Sequence, residues 1–277
     1  MTILVTGATG RLGSRFLPRL LQDDSRVRVL VRDPRPAEPL RQLGAEVFVA
    51  DLRDADAVRR ALDGVAAVVH LGAAFRGVTE ADGAAVTEAA TVALGRAAAH
   101  AGVRRFVFSS TNLVYGHGRG RPAVEDDEPA PAMAYPSHKV HAERALGAID
   151  GLGLRVLRFA FVYGEGDPHL RESLMWARDW ALHRRLHVLH HADVGQALLL
   201  ALRADGIDGR TFNVADDAPV TAFELLRLNR EPVATDATSR ALEDAWEGIV
   251  DSSRIRRELG FRPLYPTVYT AQAAGAL

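Results

Sequence analysis

The stretch Gly7-Ala8-Thr9-Gly10-Arg11-Leu12-Gly13 limits what this chain can become more than any other. It follows an apolar run at residues 2–6 and opens a helical pattern at 11–23. Glycines so placed allow a tight turn and close backbone approach. The first N–H groups of the helix are then free to meet a pyrophosphate. A merely tight strand-to-helix turn is the competing reading, and the rest of the first half argues against it. Apolar runs at 2–6, 27–31, 46–50, 67–71, 105–109 and 154–159 alternate with helical patterns at 11–23, 55–63, 84–101 and 136–149. Nearly unbroken apolar strands point to burial on both faces. Their alternation with helices points to an α/β fold, a Rossmann-type doubly wound parallel sheet.

Past residue 164 the pattern loosens. Residues 164–168 read as a turn-rich break, 170–183 as a helix, 188–202 as a short strand entering a helix, and 210–214 as a strand. From Asp216 the chain is helical and irregular. The expected division is a dinucleotide-binding domain over 1–163 and a smaller C-terminal substrate lobe over 164–277, with about 188–214 returning to the first. A net charge of −1 offers no electrostatic case for nucleic acid or an anionic membrane. The absence of cysteine excludes disulfides, thiolate catalysis and cysteine-based zinc sites, and is compatible with a cytoplasmic location. No apolar run reaches membrane-spanning length, and a first strand at residue 2 leaves no room for a signal peptide. A P-loop needs a Gly-Lys step and an α/β-hydrolase elbow needs Gly-x-Ser-x-Gly; neither occurs.

Two positions bear on which dinucleotide is bound. The end of a second Rossmann strand reads the adenosine ribose, an acid suiting its hydroxyls and an arginine a 2′-phosphate. Val31-Arg32-Asp33 offers both. Arg32, with Arg11 in the glycine loop, favours NADP; Asp33 keeps NAD open. Asp51-Leu52 suits the adenine ring, unless Asp51 caps the next helix. Among the Lys/Arg residues, one is a lysine: Lys139, four residues after Tyr135. On a helix such a pair lies on one face. An ammonium beside a phenol favours the phenolate, which makes a tyrosine an acid/base near neutral pH. The alternative is an exposed helix pair of no consequence.

With these residues in view, the chain resembles the extended branch of the short-chain dehydrogenase/reductase superfamily, the NAD-dependent epimerase/dehydratase family. The resemblance rests on Gly7–Gly13, Asp51-Leu52, Val69-His70-Leu71-Gly72-Ala73, Phe108-Ser109-Ser110-Thr111-Asn112-Leu113-Val114-Tyr115-Gly116, Tyr135 to Lys139, Leu157 to Gly164, Asp193-Val194 and Thr211 to Val214. Asp251-Ser252-Ser253 and Glu258-Leu259-Gly260-Phe261-Arg262-Pro263 extend it. It implies Tyr135 as general acid/base, Lys139 on the nicotinamide ribose and lowering the tyrosine pKa, and Thr111 on the reacting oxygen, with Ser110 its nearest substitute. It also implies cofactor contacts from Gly7, Thr9, Gly10, Arg11, Leu12, Gly13, Arg32, Asp51, Leu52, Leu71, Gly72, Ala73, Ser109 and Phe159, and a homodimer built on the helices at 84–101 and 136–149. Substrate contacts fall to Thr111, Asn112 and Phe161.

The departures narrow the reaction. Sugar-nucleotide 4,6-dehydratases have an Asp-Glu pair after the catalytic threonine; here Asn112 and Leu113 stand there and cannot eliminate water. The epimerases' substrate-binding asparagine is matched by Phe161, whose ring cannot replace an amide. The segment between Gly164 and Asp193 looks short, which implies either a substrate smaller than a sugar nucleotide or residues absent from that stretch. Pro136 after Tyr135 suits a first helical turn. Thr87 replaces a family asparagine, so a water relay through it is in doubt. His187, His190 and His191 read as strand packing or substrate contact rather than metal ligands, since neighbouring strand residues face opposite ways; Trp176 and Trp180 read as packing. The expected activity is NAD(P)-dependent hydride transfer at a hydroxyl or carbonyl carbon of a sugar-like small molecule. Reduction of a smaller non-nucleotide carbonyl compound is the alternative, and non-catalytic NADP sensing a third class.

Overall fold

The computed structural model describes residues 1–22, 25–74, 77 and 79–277. The strands are β1 (Thr2–Thr6), β2 (Arg26–Val31), β3 (Glu46–Val49), β4 (Ala67–His70), β5 (Arg105–Thr111), β6 (Leu154–Phe159), β7 (Phe161–Tyr163), β8 (Arg185–Leu186), β9 (Val188–His190), β10 (Arg210–Val214) and β11 (Val220–Thr221). Seven of them form one parallel sheet in the order β10-β6-β5-β4-β1-β2-β3. The chain winds outward from β1 in one direction and from β4 in the other. Their carboxyl ends therefore flank the crevice where such sheets bind ligands.

Strand alternation splits the sheet's side chains between two cores. Val5, Val69, Val107, Leu157 and Phe212 pack with Phe16 and Leu17 of helix Arg11–Leu20 and with Val194 and Leu198 of helix His191–Arg203. Leu4, Val68, Phe106, Phe108 and Val156 pack with Val58, Leu94 and Leu146 from helices Ala55–Ala61, Thr91–His100 and Ala134–Gly147. Each such side chain contributes about 1.5–3 kcal/mol by leaving water. That is why six of the seven sheet strands read as apolar runs and not as alternating ones. A third core of Tyr163, Leu170, Val188, Val220, Leu225 and Val268 lies in the second half, where β7 pairs with β9 and β8 with β11. β10 and helix His191–Arg203 belong to the main sheet and its core.

Several boundaries differ from the sequence reading. The first helix ends at Leu20, and the expected end at residue 23 lies outside the described residues. The helix expected at 170–183 is two single turns, His169–Glu172 and Leu174–Ala177. Ser173 lies between them, its hydroxyl donating to Leu170 O at 2.6 Å and competing for a helical carbonyl. The pattern at 84–101 begins earlier, at Glu80–Gly83, and widens to a π-helix over Ala84–Ala90 before Thr91–His100. Asp54, not Asp51, caps helix Ala55–Ala61, accepting from the N–H groups of Asp56 and Ala57. Among the described residues no helix is long and apolar enough to cross a membrane.

Candidate active site

The glycine loop leaves β1 through Gly7, whose φ of +70° suits glycine. A Cβ on Gly7 would sit 2.6 Å from both Leu71 C and Gly72 N. A Cβ on Gly13 would sit 2.3 Å from Gly7 O and 2.6 Å from Ala8 O. The loop and the Leu71-Gly72 turn after β4 are thus pressed together with no room for side chains. Gly10 caps helix Arg11–Leu20 with no side-chain hydrogen bond, and the first turn carries no acid. The cradle of N–H donors with a positive helix end fits a dinucleotide pyrophosphate. Thr9 and Arg11 lie exposed at its rim and Leu12 is half-buried.

At the ribose end, Asp33 is held by Arg35 (Nη2–Oδ2 2.8 Å), while Arg32 is exposed with no hydrogen-bond partner among the described residues. Asp51 accepts from Arg53 through its N–H at 2.8 Å and its Nη2 at 2.8 Å, which pulls its pKa down to about 2. Leu52 packs against the second core. Arg11 turns away from this end. Its guanidinium donates to Asp167 Oδ1 at 3.1 Å and Glu172 Oε1 at 2.7 Å, tying the cofactor helix to the second half of the chain. Two carboxylates thus engage the Arg11 guanidinium, whose charge was expected to act with Arg32.

The expected acid/base residues lie near the carboxyl end of β5. Tyr135 and Lys139 share one face of helix Ala134–Gly147. Lys139 is 1% exposed, its Nζ donates to Ser109 O at 2.7 Å and it lies 4.6 Å from the Phe108 ring centroid and 5.9 Å from that of Tyr135. Burial lowers its pKa to about 7, opposed by Glu143. Burial also pushes the phenol of the partly buried Tyr135 up. Both shifts have the same cause, the loss of water around the charged form of each group. Thr111, nearly buried, ends β5 with Oγ1 accepting from Leu113 N at 3.3 Å. Ser110 Oγ is buried with no partner among the described residues. Phe159 lies beside Thr111 in register and belongs to the first core; Ala73 follows Gly72 partly exposed.

Three features escaped the sequence reading. His70 ends β4 fully buried between two hydroxyls, Thr6 Oγ1 at 2.5 Å and Thr91 Oγ1 at 2.8 Å, and stacks on Phe108. Burial, then the charge of Lys139, lowers its pKa to about 3, so it is neutral. A histidine closing an apolar strand was its sequence signal. Thr87 Oγ1 accepts from Ala74 N at 3.0 Å and donates to Ala74 O at 3.2 Å, so it staples the π-helix to the turn after β4. Asn112 does not present a free amide: its Nδ2 donates to Gly248 O at 2.6 Å, anchoring a segment more than a hundred residues away. Phe161, half-buried, stacks on His169 with ring centroids 3.9 Å apart and planes at 25°. His187, His190 and His191 are buried in hydrogen bonds to Asp216 O, Ala276 O and Asp167 Oδ2. Among the described residues no cluster could hold a metal ion.

The family model for the NAD dependent epimerase/dehydratase family matches residues 3–215. A 4-hydroxy-2-methyl-3-oxo-4-farnesyl-3,4-dihydroquinoline-1-oxide ketoreductase from Stigmatella aurantiaca is 27% identical, over 92% of this chain and 83% of that protein. A 3 beta-hydroxysteroid dehydrogenase/Delta 5-->4-isomerase from Mycobacterium tuberculosis is 30% identical, over 81% of this chain and 67% of that protein. Among solved structures, a short-chain dehydrogenase/reductase superfamily protein from Agrobacterium tumefaciens with bound NAD is 26% identical, with a TM-score of 0.81 over 99% of this chain and 96% of that one. The UDP-Glc/GlcNAc 4-epimerase from Campylobacter jejuni shares the fold at 21% identity, with a TM-score of 0.82 over 99% and 97%. With its glycine cradle and its Tyr-Lys helix in place, the chain belongs to the NAD dependent epimerase/dehydratase family, enzymes of the short-chain dehydrogenase/reductase type.

Proposed function

We propose that this protein interconverts a secondary alcohol and a ketone by NAD(P)-dependent hydride transfer, with Tyr135 as acid/base. The carrying observation is the buried helix face on which Lys139, bound to Ser109 O at 2.7 Å, lies one turn from Tyr135 at the end of the strand that carries Thr111. A dinucleotide held by Gly7–Gly13, the Leu71-Gly72-Ala73 turn and Lys139 supplies the hydride exchange. Tyr135 takes the proton from the substrate hydroxyl, or returns it to the carbonyl oxygen. Thr111 donates to that oxygen and fixes its position. Lys139, as an ammonium, stabilises the phenolate.

The substrate of this reading is a sugar-like or other hydroxyl-bearing small molecule. A second reading, net reduction of a smaller non-nucleotide ketone, is favoured by Phe161, which offers an aromatic face stacked on His169 where an amide would bind a sugar nucleotide. The similarity to a ketoreductase and a hydroxysteroid dehydrogenase supports it. Arg32, exposed and without a hydrogen-bond partner among the described residues, supports NADP, and the NAD bound in similar structures supports NAD. A homodimer through the helices near 84–101 and 134–147 belongs to the same reading.

Incubation with NAD or NADP and a panel of sugar nucleotides and cyclic alcohols tests this. Reduced cofactor released in step with ketone supports a dehydrogenase. Inverted substrate with cofactor unchanged supports an epimerase. Tight cofactor binding with neither product across both panels supports a sensor and contradicts the proposal.

A further inference from the structure

Lys139 has a neighbour that the proposed reaction does not use. Glu143 stands one further turn along helix Ala134–Gly147, so Tyr135, Lys139 and Glu143 follow one another at i, i+4 and i+8. Its side chain is 9% exposed and is gripped by Arg158, 6% exposed, at 2.6 Å (Nη2–Oε2) and 3.2 Å (Nε–Oε1). Arg158 also donates to the Tyr115 hydroxyl at 2.8 Å and to Glu125 O at 3.4 Å. Tyr115 donates to Asn213 Oδ1 at 2.7 Å, and Asn213 Nδ2 donates to Ala123 O and Asp251 O. A line of buried bonds thus runs from the Tyr-Lys helix across β6 and β10 to the C-terminal segment.

A buried ion pair on its own is weak evidence of anything but a brace. This one differs in what lies beside it. The Lys139 ammonium is desolvated, and its neighbours are otherwise neutral: the Ser109 carbonyl and Phe108 ring from β5, the Tyr135 phenol from its own helix, and the uncharged His70 from β4. Among the described residues Glu143, one turn on, is the charged group whose field opposes the burial that lowers Lys139 to about 7. Arg158, a second cation, is held against that carboxylate and by its bonds to Tyr115 and Glu125.

We propose that Glu143 is a positioning residue: clamped by Arg158, it supplies the counter-charge that keeps Lys139 an ammonium beside Tyr135. This rests on the role given to Lys139 above, yet it can be tested without turnover. The chain has a single lysine, so protein labelled with ¹³C at lysine Cε gives one lysine resonance, and its titration reads Lys139 alone. Glu143→Gln keeps the size and one oxygen that accepts from Arg158, and removes the charge. The Lys139 midpoint falls by about one pH unit or more, a tenfold loss of ammonium at a fixed higher pH. Arg158→Met removes the paired cation and changes the charge balance at Glu143, so the Lys139 midpoint moves. In turnover, Glu143→Gln draws the alkaline limb of the pH profile down by the same interval. Midpoints within about 0.3 unit of wild type in both variants, with thermal stability alone changed, would make the pair a brace and overturn the proposal. If Glu143→Gln does not fold, Arg158→Met decides: a shifted midpoint supports it, an unmoved one overturns it. A Tyr135→Phe enzyme that kept full turnover would overturn the proposed function and leave this titration standing.

Discussion

At the carboxyl end of β1 the chain is shaped by side chains it does not have; at the carboxyl end of β5 it is shaped by what its side chains carry. Gly7 and Gly13 sit where a single added carbon would strike backbone at 2.6 Å and 2.3 Å. Tyr135 and Lys139 sit beside Ser109 and Thr111, where burial shifts both titrating groups and the Ser109 carbonyl holds the ammonium. The first end tolerates almost no substitution because backbone cannot yield. The second tolerates changes of shape but not of charge or proton-carrying capacity. Substitutions at the two ends therefore fail in different observables.

The largest effect is expected at the first end. Gly13→Val forces its Cβ against Gly7 O and Ala8 O, and either the helix or the loop must move. Stability falls by about 1–3 kcal/mol and dinucleotide binding falls by more than about a hundredfold, as the N–H cradle opens; calorimetric titration and urea unfolding read the two. At the second end, Lys139→Met leaves the fold and most dinucleotide affinity in place and lowers turnover by about 10²–10⁴. Equal losses of binding in both variants would erase the contrast.

Acid sharpens it from another side. Burial lowers His70 to about 3 and His187 and His191 to about 4. The unfolded chain binds these protons below about pH 6.5 and the folded chain refuses them. Their contribution is fully present above pH 6.5 and is lost as pH falls toward 4, by up to about 1.4 kcal/mol per pH unit for each histidine. Asp216, pushed up to about 9 by burial, works in the opposite direction with one such increment. Urea midpoints measured down the pH scale check this, and His70→Gln flattens the slope by one histidine's share.

Two smaller effects follow. Arg32→Ala lowers NADP affinity about fivefold and leaves NAD within about twofold, the worth of one exposed charge. An equal loss of both would mean that Arg32 reads something the two cofactors share. Asn112→Ala removes its bond to Gly248 O and lowers stability by about 1 kcal/mol, with little change in cofactor affinity.

The same contrast explains what could be read before the fold was known. The apolar strands and the glycine spacing are local consequences of burial on two faces and of backbone crowding, so they are written in adjacent residues. The position of the Tyr-Lys pair was legible because a helix converts spacing into a shared face. The upward push on Tyr135 was not, since it depends on how much water the finished fold excludes. Nor was the engagement of Arg11 by Asp167 and Glu172, or of Asn112 by Gly248, each made across more than a hundred residues. Ser173 reads as helix interior, yet it stands between the two turns with its hydroxyl on Leu170 O.

The central claim is that the Tyr135 phenol moves the proton during hydride transfer. Tyr135→Phe, assayed beside wild type with whichever alcohol or ketone the panel identifies, is its most direct measurement. The expected result is a loss of turnover of at least about a hundredfold with dinucleotide affinity unchanged within about threefold. Turnover undiminished in Tyr135→Phe would contradict it.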